Sequence, residues 1–81
     1  LMNYIQNTII LQNGDILFIV EAASLSAPNK LMYKIEHETE KIVLDKEDGK
    51  FILPVENILF ATSLPVEIDE EDRTYEIKLR N

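Results

Sequence analysis

The chain contains no cysteine, no tryptophan, a single histidine, two glycines and three prolines. Without cysteine there can be no disulfide, no thiolate nucleophile and no thiolate-bound metal, so packing alone must hold the fold; the absence fits a reducing compartment, and a cytoplasmic location is expected. Two glycines are too few for a glycine-rich phosphate cradle. One histidine leaves Ser24, Ser26 and Ser63 without a base at any readable spacing. Neither an enzyme nor a bound cofactor or metal is therefore expected. Long apolar runs are missing too: the longest, "ILFIVEAA" (16–23), is far too short to span a bilayer, and the N-terminus has no basic region of the signal-peptide kind. Because Leu1 precedes Met2, the natural start is expected at Met2, with Leu1 a foreign addition.

Basic residues are also scarce. Eight Lys and Arg stand against 15 Asp and Glu, a net charge of −7. This opposes direct binding to nucleic-acid phosphates by a nonspecific electrostatic route. The imbalance is uneven: residues 1–44 carry 5 acids and 3 bases, net −2, and residues 45–81 carry 10 and 5, net −5.

What is present is enough for one small folded domain, residues 1–81, with 46% hydrophobic content. Such a chain buries roughly 60–65% of the surface it exposes when unfolded, so its stability margin is narrow. Strand signals recur at short intervals. "YIQNTIIL" (4–11) is rich in β-branched and aromatic residues, "QNGD" (12–15) offers a turn at Asn13-Gly14 with a glycine for positive φ, and "ILFIVEA" (16–22) is apolar on both faces: a β-hairpin. "SLSAPNK" (24–30) is a loop. In "LMYKIEHE" (31–38), Leu31, Tyr33 and Ile35 alternate with Lys34, Glu36 and Glu38, which predicts a half-exposed strand. "KIVLD" (41–45) predicts another strand, "KEDGK" (46–50) a turn, and "FIL" (51–53) a return strand.

The stretch "ILPVENILFATSLP" (52–65) is apolar at its ends and polar in the middle. Pro54 cannot donate to a sheet ladder, so the strand should stop there, with Val55-Glu56-Asn57 forming a tight 3₁₀ turn and Ile58–Ala61 starting a new short strand. Val55, Ile58 and Phe60 are the expected inward anchors; a helix over 55–62 is the alternative. "TYEIKLR" (74–80) alternates apolar and charged residues like an edge strand. Chain reversals every 8–12 residues without a long helical period argue for an all-β barrel or sandwich, and a small barrel of five to seven short strands is expected.

Two segments carry a family resemblance. "NTIILQNGDILFIVEA" (7–22) resembles the first two strands of Sm-like and Src-homology-3-like barrels, joined by an L-x-N-G turn, and "GKFILPVENILFATSLP" (49–65) resembles their closing strand, one-turn 3₁₀ element and final apolar strand. Asn57-Ile58 would take the place of the Asn-apolar pair of many Sm-like proteins. The resemblance implies a small barrel and a tendency to form oligomers. The family's ligand residues are not there: Leu53-Pro54 or Pro54-Val55 stands where RNA-binding Sm-like proteins carry Arg-Gly or Lys-His, and the tryptophan and "ALYDY" segment of peptide-binding Src-homology-3 domains are absent.

Three clusters invite a chemical reading. His37 lies among Glu36, Glu38 and Glu40, but neighbours on a strand point to opposite faces, so a solvated strand accounts for them. "DKEDGK" (45–50) with Glu56 has the ring of a calcium loop, yet Gly49 falls at position five rather than six, and a polar hairpin turn explains the same residues. The run "EIDEED" (67–72) places five carboxylates in six residues, Glu67, Asp69, Glu70, Glu71 and Asp72. As a solvated loop it needs no function; as a site it is a docking surface for a protein partner with a basic face.

The expected function is a non-catalytic interaction module or small regulatory subunit that acts through a protein partner and forms homo-oligomers, without direct nucleic-acid binding or membrane insertion. The alternatives are an acidic inhibitor mimicking nucleic acid, such as an immunity or anti-defence protein, and a divergent Sm-like RNA binder.

Overall fold

The computed structural model describes residues 2–46, 49–68 and 78–80. Strand β1 (Met2–Leu11) forms a hairpin with β2 (Ile16–Ala22), in register from Tyr4 opposite Ala22 to Ile10 opposite Ile16. The turn is built as its residues require. The Gly14 amide donates to the Leu11 carbonyl (2.9 Å), that of Leu11 to Asp15 (2.8 Å), and Gly14 takes φ +93°. This is a three-residue loop ending in a left-handed glycine, tightened by the Asn13 amide oxygen accepting the Asp15 N–H at 3.0 Å.

After a 3₁₀ turn at Ala27–Asn29 the chain enters a short helix, α1 (Leu31–His37). The strand predicted over 31–38 is thus corrected. Leu31 and Ile35, four apart, share one helical face and reach the core, while Tyr33, alternate to both, is exposed; three apolar residues at i, i+2 and i+4 satisfy either period, and burial follows the helical one. The helix start is held from outside. Its first N–H, that of Leu31, donates to the Glu21 carboxylate of β2 at 2.8 and 3.2 Å, which supplies the cap that Lys30 cannot.

Strands β3 (Lys41–Lys46) and β4 (Gly49–Pro54) form a separate antiparallel ribbon, from Lys41 opposite Pro54 to Lys46 opposite Gly49. β4 ends at Pro54 and a 3₁₀ turn occupies Val55–Asn57, as the sequence predicts; the helix alternative for 55–62 is overturned. The following strand is much longer than the expected Ile58–Ala61. β5 runs Ile58–Ile68 through Pro65 and pairs with β1 along its whole length. β6 (Lys78–Arg80), the described part of the strand expected at 74–80, pairs with β2. The sheet order is β5-β1-β2-β6, so β5 and β6 are its two edges.

Ile9, Ile19, Leu31, Ile42 and Leu53 form the buried core, one residue each from β1, β2, α1, β3 and β4. The inner face of the sheet, α1 and the ribbon therefore meet at one place. Val55 and Ile58 pack against this cluster as expected. Asn7 is buried among them with its polar groups satisfied: its amide donates to the Ile19 carbonyl (3.2 Å) and its oxygen accepts the Ser63 hydroxyl (3.0 Å). The domain is predominantly β, with one helix.

Candidate functional site

Backbone phase decides which edge of β5 is open. In β1, Leu11 N donates to Asp15 O and Asn3 O accepts from Ala23 N (3.2 Å), so odd-numbered residues of β1 turn their backbone groups to β2. Even-numbered ones face β5, as does the Gln12 amide, which donates to Asn57 at 2.8 Å. Their partners Phe60, Thr62, Leu64 and Val66 spend their backbone groups on β1. Ala61, Ser63 and Pro65 thus direct theirs to the outer edge, where β5 has no neighbouring strand among the described residues. Pro65 sits in a strand without loss because its missing N–H belongs to that edge.

Side chains divide the other way. Ala61 packs on the core and Ser63 reaches Asn7, so the odd-numbered residues look inward and Phe60, Thr62, Leu64 and Val66 lie on the outer face. Phe60 is 54% exposed and Leu64 60%. The expected inward role of Phe60 is corrected, and the cause is a bulge: the register slips between Ile10 and Leu11, with Leu11 opposite Ile58 and Ile10 opposite Phe60. Leu59 is the extra residue and is 61% exposed. The Gln12 side chain marks the slip by donating to the Ile58 carbonyl at 3.3 Å. The result is a strand edge with Leu59, Phe60 and Leu64 in solvent and no charged residue from 58 to 66. Such an edge is a template for another strand.

Of the acidic run, Glu67 is exposed near the end of β5, opposite Asn3. Asp69, Glu70, Glu71 and Asp72 lie outside the described residues. The carboxylate run therefore begins where the apolar edge stops.

The other candidates resolve into structure. His37 is on the last turn of α1, not on a strand; its ring stacks on Tyr33 with centroids 3.9 Å apart, and its Nδ1 donates to the Tyr33 carbonyl at 2.8 Å. Asp45 is paired across the ribbon with Lys50. No group of three His, Asp or Glu among the described residues is placed to hold a metal. The clefts are shallow. One of about 430 Å³ runs beside Lys34, Glu38, Lys41 and Val43, and one of about 240 Å³ lies under Leu25 beside Glu21 and Leu44.

Sequence reasoning missed Leu59 and Leu64. Read by alternation alone, Phe60, Leu64 and Val66 are the bulkier apolar set and belong inside. Their place on the outer face is set by Ile9 and Asn7 on β1, which are opposite Ala61 and Ser63. No helix among the described residues is long and apolar enough to cross a membrane. No protein-family model, curated protein or solved structure matches the chain.

Proposed function

We propose that this protein is a non-catalytic interaction module of the cytoplasm that acts through a protein partner, and that the outer edge of β5 is its contact surface. The observation that carries the reading is the combination on β5 of outward-turned backbone groups with Leu59, Phe60 and Leu64 in solvent. Strand addition to such an edge takes affinity from main-chain hydrogen bonds and selectivity from alternate side chains. Glu67, exposed near the end of that edge, is followed in sequence by Asp69, Glu70, Glu71 and Asp72, which favours a partner with a basic face.

The architecture is read as an opened relative of the Src-homology-3-like or Sm-like barrels. Supporting this are the order of two hairpins, a 3₁₀ turn and a fifth strand returning to β1; α1 between β2 and β3, and β6 beside β2, are departures. An acidic inhibitor that mimics nucleic acid is the second reading, resting on exposed Glu67 and the carboxylates after it. A divergent Sm-like RNA binder has only the element order in its favour.

Capture of partners from native cells with three proteins separates these readings: wild type, Phe60→Asp, and a variant with Glu67, Asp69, Glu70, Glu71 and Asp72 replaced by their amides. Loss of the partner with Phe60→Asp is the expected result. Loss only with the amide variant would transfer the function to the carboxylates and favour the inhibitor. Equal capture by all three would refute both.

A further inference from the structure

The β5 edge is complementary to itself, and we infer that its occupant is a second copy of this chain, added antiparallel across a two-fold axis through Thr62. This rests on the edge reading above and names the partner. The first argument is hydrogen bonding. Outward backbone groups belong to Ala61, Ser63 and Pro65, so an antiparallel copy must pair odd residues with odd residues. With the axis at Thr62, Ala61 meets Ser63 of the second copy and Ser63 meets its Ala61, and every donor and acceptor in the centre is matched. Moving the axis to Ser63 brings Pro65 against Ala61 on both sides and puts the missing N–H next to the centre, whereas in the Thr62 register Pro65 falls at the ends, opposite the bulged Leu59.

Side-chain spacing selects the same register. Phe60 and Leu64 are each two residues from Thr62, so each lies directly opposite the other kind across the axis, on the outer face where both are exposed. Shifted to Ser63, the axis would set Phe60 against Val66 and Leu64 against Thr62.

Charge supports a second copy despite the net −7 of each chain. In a chain of 28% charged residues none falls between 58 and 66, and in the Thr62 register the paired residues 60–64 of both copies are all uncharged. Two acidic molecules can thus meet along this strand without setting like charges face to face. Covering the two edges with Phe60 and Leu64 removes on the order of 1,000 Å² from solvent in total, at the small end of specific interfaces. The dimer is accordingly weak and forms with rising concentration, joining two four-stranded sheets into one of eight strands.

The absence of native cysteine makes the register directly testable. Thr62 lies on the axis in a pair without mutual hydrogen bonds, where Cα atoms are about 4.5 Å apart, inside the window a disulfide needs. Under mild oxidation Thr62→Cys should form a disulfide-linked dimer, and Leu64→Cys alone should not, its two copies being about 13 Å apart at 3.3 Å per residue. A mixture of Phe60→Cys and Leu64→Cys chains should yield the mixed disulfide. Light scattering of the wild type should show monomer passing to dimer with concentration, and Phe60→Asp should weaken that association at least tenfold while keeping the β spectrum. A wild type monomeric at all concentrations, or a ring larger than a dimer, would overturn the proposal, as would cross-linking of Leu64→Cys alone. If the protein is monomeric yet Phe60→Asp loses a different partner, self-pairing fails and the edge reading survives; a dimer indifferent to Phe60→Asp sinks both.

Discussion

A carboxylate and a phenyl ring on two strands of one sheet are expected to behave opposite to their usual roles. Glu21 is buried and holds the first N–H of α1, so it is a structural acid; Phe60 is in solvent, so it contributes little to the fold. Glu21→Ala should cost about 1–3 kcal/mol, because the Leu31 N–H loses its acceptor in a buried position. Phe60→Ala should cost less than about 1 kcal/mol, as surface substitutions do, whereas Ile9→Ala, at the centre of the core, should cost about 2–5 kcal/mol. Urea denaturation of the three variants checks the ranking. A loss at Phe60 comparable to that at Ile9 would place the ring in the core and remove the basis for an exposed edge.

Among the elements, β5 is the one whose properties depend most on a single backbone atom. Pro65→Thr restores an outward N–H without disturbing any bond to β1, so monomer stability should change by no more than about 0.5 kcal/mol. Association should change more. With the donor restored, the register centred on Ser63 becomes competitive, and Ser63→Cys in that background should cross-link where Ser63→Cys alone does not. What the sequence made legible follows the same logic of local constraint. The hairpin at Gly14, the end of β4 at Pro54 and the 3₁₀ turn at Val55–Asn57 are each dictated by residues within a turn's reach, and all three are found. The helix at 31–37 was hidden because the spacing of Leu31, Tyr33 and Ile35 fits two periods, and its decisive cap, Glu21, is ten residues away. The surface on β5 was hidden for a longer-range reason. Which of its faces looks inward depends on pairing with β1 some fifty residues earlier, and on a bulge that no residue at 58–60 announces.

For the whole molecule, the sign of the salt dependence separates two kinds of partner. Each copy carries −7, so self-association works against mutual repulsion and should tighten severalfold as salt rises from about 10 to 150 mM and the Debye length falls from about 30 to 8 Å. Binding to a basic protein through the carboxylates at 67–72 should weaken over the same range. Sedimentation at several salt concentrations measures the first, and titration against a captured partner the second.

The pairing of β1 with β5 also sets an order in time. β1 finds β2 across a four-residue connection, but its other edge must wait for a strand more than fifty residues downstream, Ile9 for Ala61 and Tyr4 for Val66. On a growing chain the hairpin can therefore form early, while the Tyr4, Gln6, Thr8 and Ile10 edge stays open until synthesis passes residue 68. At roughly 5–20 residues per second that interval lasts several seconds, long compared with the microseconds of hairpin formation. The nascent chain thus offers the same kind of open strand edge that the finished protein carries on β5, and it is during this window that a chaperone, or a neighbouring nascent copy, would have its best opportunity to engage it.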